Sequence, residues 1–205
     1  KRANKEVLTM LEKNNGTDPI VQHAGILVLT NHSSPEELAN LSNSDSVAIK
    51  TAAVVALRRQ NSKEAAAFLN DNNNEIQLEA ARAIADEHIQ SAMLQLANLS
   101  KHNDLSKPVM RRVLNANYRL ARAEPLAIIA ADKHHSELAR SEALNLLAAW
   151  KNPSGRDRIS GLWRPIATRD NSLASAALTD KIDSILLSND GLVRVEAIGA
   201  ASKLK

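Results

Sequence analysis

The sequence has no cysteine. Disulfides, thiolate metal sites, iron–sulfur clusters and a thiol nucleophile are therefore excluded. Aromatic residues make up only 2% of the 205 residues, too few to fill a compact core with rings. A core of Ala, Leu, Ile and Val suits closely stacked helices instead. No apolar run approaches the roughly 18–20 residues of a membrane span, so no membrane insertion is expected. No signal peptide is evident. Lys1 rather than Met opens the chain, which reads as a piece of a longer protein and leaves the compartment open.

An excess of positive over negative charge is confined to one place. The chain carries 26 Lys and Arg against 23 Asp and Glu, a net charge of +3. Within 151–170, Lys151, Arg156, Arg158, Arg164 and Arg169 stand against Asp157 and Asp170. That stretch is itself +3, and the rest balances at 21 of each sign. The basic pI near 9.3 thus reflects one segment, and net charge alone argues weakly for nucleic acid.

A nine-residue pattern recurs along the chain: apolar, polar, two free positions, small, two free, small or apolar, apolar. It reads "VQHAGILVL" from Val21, "IKTAAVVAL" from Ile49, "IQLEAARAI" from Ile76 and "VRVEAIGAA" from Val193. Weaker copies start at Val109 and Leu138, giving spacings of 28, 27, 33, 29 and 55. The apolar positions follow the helical period, and small mid-helix residues let a neighbour approach. Turns rich in Asp, Ser and Asn precede most copies and supply helix caps. Another amphipathic helix precedes each turn, near 3–13, 35–42, 63–70, 89–100, 124–132 and 172–187. Pro35, Pro108 and Pro125 fall at helix starts, where a missing N–H costs little.

The expected fold is all-α, an α-α superhelix of about six helical hairpins in a single domain, 1–205. One hairpin cannot bury its apolar face alone, whereas stacked hairpins can. The pattern resembles HEAT repeats, best in "SNDGLVRVEAIGAASKL" from Ser188 and next in "SDSVAIKTAAVVAL" from Ser44. The resemblance implies a HEAT-like solenoid with its second helices on the concave face, near 18–30, 46–59, 75–87, 107–122, 136–150 and 191–203. It also implies a ladder of turn Asp and helix Arg. Asp190 with Arg194 and Asp45 with Lys50 fit that ladder; Asp18 faces Gln22, and the fifth repeat has no such Asp.

The 55-residue spacing leaves about 25 extra residues after Trp150, an insertion over 151–171. Long loops in compact arrays are usually functional or packed on themselves. In the insertion, "GLWRP" reads as an aromatic anchor flanked by arginines. Trp163 is expected to be buried as a brace, so that Trp163→Ala lowers the melting temperature by a few degrees. Asn152-Pro153, Arg156-Asp157-Arg158, Gly161-Leu162-Trp163-Arg164-Pro165 and Arg169-Asp170 resemble a segment of large exported bacterial proteins. Those proteins are known as membrane-bound dehydrogenases or haem-binding proteins. In that family a propeller precedes the helical array and a c-type cytochrome domain follows it. This chain holds neither, so the resemblance implies a spacer or docking platform in a periplasmic or exported parent. Any redox activity would lie outside these residues.

No nucleophile elbow, phosphate-cradling glycine loop or HExxH motif occurs, and no two carboxylates share an apolar pocket by spacing. No catalytic residue, metal site or cofactor is expected. The densest donor cluster, Asp132, His134, His135 and Glu137, lacks the i, i+3 or i+4 spacing of helical metal pairs and reads as a loop before a capped helix. The candidate interaction surface has two parts. One is Arg156, Arg158, Trp163 and Arg164 in the insertion. The other is Arg111, Arg112, Arg119 and Arg122 on the fourth second helix, with Asn115 beside them and Arg58, Arg59 and Arg82 on nearby helices. Such a basic stripe has the architecture of HEAT-like DNA glycosylases as an alternative, although Tyr118 and Trp150 are its only aromatics. Glu79, Asp86 and Glu142 interrupt the field, so a protein or a neighbouring domain is the favoured partner and nucleic acid the disfavoured one.

Overall fold

Six short polar turns set the register of the chain. In the computed structural model of the protein, which describes residues 2–205, the helix caps are Asp18, Ser46, Asn73, Ser106, Ser136 and Asp190. Each opens one second helix: α2 (Pro19–His32), α4 (Val47–Arg59), α5 (Asn74–Asp86), α7 (Lys107–Arg119), α9 (Glu137–Ala148) and α11 (Gly191–Leu204). Asp18, Ser46, Asn73 and Ser136 accept a first-turn amide N–H, satisfying donors that the helix itself leaves free. Seven residues beyond each cap lie Gly25, Ala53, Ala80, Val113, Ala143 and Ala197, all buried. At Gly25 a Cβ would lie 2.5 Å from the Leu11 side chain, which would have to shift to admit one. This register corrects the fifth copy by one residue. It starts at Ala139, 8% exposed, rather than at Leu138, which is 64% exposed.

The first arms are less regular than the sequence suggested. α1 (Arg2–Asn14), α8 (Ala123–Ala131) and α10 (Ser172–Leu186) are full helices. The arms expected at 35–42, 63–70 and 89–100 are instead short. α3 (Pro35–Ala39) runs into a 3₁₀ turn at Asn40–Asn43, Lys63–Phe68 is 3₁₀, and α6 (Met93–Asn98) sits between 3₁₀ turns. Each is squeezed between a tight helix end and the next capped turn. In the first two, so few residues cannot offset helix nucleation, and i→i+3 bonds tighten them; the third, Gln90–Lys101, keeps an α-helical stretch only at Met93–Asn98.

The chain forms two compact units, Lys1–Leu96 and Ala97–Lys205. In the first, α4 packs on α2 and α5, around Leu29, Leu38, Leu57, Phe68 and Ile84. Lys50 on α4 pairs with Asp71 at 2.8 Å. In the second, α9 packs on α7, α8 and α11, and α10 on α8 and α11. Arg140 on α9, 2% exposed, donates to the Ala130 carbonyl at 3.0 Å and to Asp190 at 2.6 Å. The expected ladder is therefore displaced. Lys50 meets the turn Asp of the following repeat rather than Asp45, and Asp190 meets Arg140 rather than Arg194. The residue four beyond the cap lies on the flank that faces the next repeat. Among the described residues there is no strand; the insertion holds one isolated antiparallel bridge, Arg156 to Trp163.

Three second helices end in the same way. Asn61, His88 and Ala121 take positive φ (52°, 61° and 56°) just past α4, α5 and α7. The next amides, of Ser62, Ile89 and Arg122, reach back to Leu57, Ile84 and Asn117 at 2.9–3.0 Å. This closure usually ends on glycine. Asn and His tolerate the left-handed region, but Ala is strained there by about 1–2 kcal/mol. Glycine at 121 would relieve that strain while adding about 0.5–1 kcal/mol of unfolded-state entropy. Ala121→Gly is expected to stabilise the protein by about 0.5–1 kcal/mol, seen as a higher urea midpoint; a lower midpoint would contradict this account of the turn.

Candidate interaction surface

The insertion leaves α9 at Ala149 and folds back over α7 and α9. Its pivot is Asp157, 4% exposed. One carboxylate oxygen accepts the Ile159 and Ser160 amides, both at 2.9 Å, and the Ser160 hydroxyl at 3.2 Å. The other accepts Asn115 Nδ2 at 3.0 Å and Arg119 Nη1 at 3.2 Å. The Gly161 amide returns to the Asp157 carbonyl at 2.9 Å, with Gly161 at φ 70° closing the turn. Burial by itself would raise the pKa of Asp157. The Ser160 and Ile159 amides, Asn115 and Arg119 more than offset that and hold it below the ordinary carboxylate value. Arg119 also spans to the Arg164 carbonyl through both Nη atoms at 3.2 Å, so one guanidinium grips both limbs of the loop.

The far limb is held by Arg169. Its guanidinium lies 3.8 Å from the Trp150 ring centroid and 4.5 Å from that of Tyr118. The two rings meet edge-on, with centroids 6.0 Å apart at 70°. Arg169 donates to the Trp150 carbonyl at 3.1 Å and to the Tyr118 carbonyl at 2.8 Å. Tyr118 donates its hydroxyl to the Ala149 carbonyl at 2.8 Å. Burial lowers the pKa of Arg169 and raises that of Tyr118. No carboxylate pairs with Arg169 among the described residues; two ring faces and two carbonyls replace it. A half-buried cation over such rings is worth about 1 kcal/mol.

Trp163 does not act as the expected anchor. It is 71% exposed. A small hairpin carries it, closed by the Asp157 amide on the Leu162 carbonyl and the Arg164 amide on the Gly155 carbonyl, both 2.9 Å. Its indole rests on Gly155, where a Cβ would meet the ring at 2.3 Å. The brace is built instead by Asp157 and Arg169, which engage α7 and Trp150. The sequence marks both among the positions of the family resemblance but does not mark either as an anchor. The signal available for Asp157 was Asp-x-x-Ser-Gly, a side chain that caps its own turn. For Arg169 there was no local signal, because its partners are 19 and 51 residues away.

The remaining arginines are divided among several partners. Arg158 forms a two-point bridge to Glu142 at 3.0 Å on both oxygens. Arg156 donates to the Gly161 carbonyl at 3.1 Å. Arg112 donates to the Pro108 carbonyl and Arg122 to Asn98, both at 3.0 Å. The stripe expected on α7 is therefore broken up: Arg119 and Asn115 converge on Asp157, while Arg111 lines a cleft. That cleft, of about 660 Å³, lies between the starts of α7 and α9 beside Arg158. In the histidine loop, Asp132 accepts the His134 amide at 2.9 Å and the ring Nδ1 lies at 2.8 Å. These contacts keep the Asp132 carboxyl low, the amide first. His135 is buried, and burial lowers its pKa. Among the described residues no three His, Asp or Glu side chains converge as a metal site would require.

No protein-family model and no curated protein matches the chain. Among solved structures, a designed armadillo repeat protein in complex with the peptide (KR)4 is similar over 100% of this chain and 92% of that one. The TM-score is 0.50 and the identity 16%. An engineered protein (TM-score 0.43, 17% identity, 100% and 91% covered) and a second designed armadillo repeat protein (0.43, 16%, 100% and 92%) are also similar. The first likeness and the six capped hairpins define the class: the chain is an all-α helical-repeat solenoid.

Asp157→Asn would point an amide donor at Asn115 or Arg119 and is expected to cost about 3 kcal/mol. The folded pKa of Asp157 is depressed, so its stabilisation is complete above the unfolded value of about 3.8 and is lost as pH falls through the folded value. Urea unfolding between pH 5 and 3 should show the native protein losing more stability than Asp157→Asn. Parallel curves would remove Asp157 from this role.

Proposed function

We propose that the chain, 1–205 as one scaffold, is non-catalytic and docks a protein or a neighbouring domain of its own polypeptide through the insertion. The observation that carries this is Trp163. A buried polar network fixes a loop whose largest apolar side chain stays in water. Exposed Trp flanked by Arg is the composition of interface hot spots, and a rigid loop lowers the entropic cost of binding. The ionisable groups near it are engaged in local pairing, without the nucleophile-and-base geometry of a catalytic site. The designed armadillo neighbour is a complex with a basic peptide. The basic segment here instead favours an acidic partner face. The Asn152–Asp170 segment supports the finer reading of a spacer between redox domains of a periplasmic or exported parent.

The alternative, nucleic-acid binding through basic helices, is weakened by local pairing. Arg58 bonds Glu87 at 2.5 Å, Arg82 bonds Glu79 at 2.5 Å, Arg119 bonds Asp157 and Arg158 bonds Glu142.

The test is photo-crosslinking in the producing cell, with a benzophenone amino acid at 163 and at exposed Lys63 as control. A discrete adduct from 163 that Arg156→Glu diminishes is the expected result. Labelling no stronger than from 63 would overturn the proposal. Trp163→Ala should shift the melting temperature by no more than about 1–2 °C, as for a surface change. Purified protein should not retard duplex DNA at low salt; a salt-sensitive shift would favour the alternative.

A further inference from the structure

The cleft between α7 and α9 does not belong to the insertion's docking role. Its volume, about 660 Å³, falls in the range of small-molecule sites, roughly 300–1,000 Å³. Leu105, Met110 and Leu114 form much of its apolar lining, and Leu138 lies on it while 64% exposed. These apolar side chains line part of the space, beside a polar wall that includes Asn103, His134, His135 and Ser136.

The charges on its walls are uneven. Arg158 is held by Glu142. Lys107 and Arg111, four residues apart and so on one face of α7, make no ion pair among the described residues. The lining therefore offers two uncommitted cations beside an apolar space, with its one carboxylate already paired. A neutral apolar ligand would leave those cations unused. A cation would be repelled by them. An apolar body ending in a carboxylate satisfies both parts of the wall.

We propose that this cleft binds a small amphipathic carboxylate, its apolar body against Met110, Leu114 and Leu138 and its carboxylate on Arg111 and Lys107. The concave shape and the drug-like volume favour a free small molecule over a polypeptide segment, which would need an extended groove.

The chain's methionines provide a site-specific readout. Of Met10, Met93 and Met110, only Met110 lines the cleft. Protein carrying ¹³C-methyl methionine is titrated with decanoate, decanol and decyltrimethylammonium, each below its micellar range. Decanoate should move the Met110 resonance saturably and leave Met10 and Met93 in place, while decyltrimethylammonium should not. Arg111→Gln and Leu138→Ser alter exposed side chains and should each weaken decanoate binding about fivefold, the effect of roughly 1 kcal/mol. Equal responses to the three probes, or an unmoved Met110, would overturn the proposal. Tighter binding of an acidic tripeptide such as acetyl-Leu-Leu-Asp would assign the cleft to a polypeptide and overturn the choice of a small molecule. None of these outcomes depends on whether Trp163 cross-links, so the two proposals stand or fall separately.

Discussion

The buried carboxylate of Asp157 is the constraint on which the rest of the second unit's surface depends. It takes two backbone amides and a hydroxyl from its own turn, and an amide and a guanidinium from α7. A lone ionised carboxylate at such a site would be very costly. Five donors make it a fixed point instead. Once it is fixed, Arg119 reaches the Arg164 carbonyl. The hairpin from Gly155 to Arg164 is then closed, and Trp163 is left outside.

The same economy runs through the other charges. The segment that carries the whole net positive charge is no diffuse basic patch. Arg158 and Arg169 are held by Glu142 and by an aromatic corner, respectively. An unpaired guanidinium between Tyr118 and Trp150 explains why a chain so poor in rings keeps two of them there. They replace a carboxylate that would otherwise have to be buried. Charge counting alone could not separate such structural cations from Lys107 and Arg111, because the distinction depends on distance rather than composition.

Much of the fold was legible in the sequence because repeat, cap and helical period are local properties. The second helices follow the nine-residue pattern, and their caps are the Asp, Ser and Asn of the turns. The failures have physical causes. Leu138 and Ala139 are both apolar, and only packing tells which one faces inward. The arms at 35–42 and 63–70 have helical composition but too little length. By size Trp163 is the expected anchor, whereas the hydrogen-bonding capacity of Asp157 and Arg169 decides what is buried here. The cleft was not visible at all. It is formed by residues from 103 to 158 that share no motif.

The insertion also changes how the array can come apart. In a stack of hairpins each repeat touches only its neighbours, so an end can fray without disturbing the middle. Here Asn115 meets Asp157 across 42 positions, and Tyr118 meets Arg169 across 51. These long closures strap α7 to the far side of α9. Fraying that starts at the C-terminal hairpin would stop at this strap, and α7, α9 and the loop would open together or not at all. A modular array thereby acquires one all-or-none block, and it is the block that carries both the exposed tryptophan and the cleft.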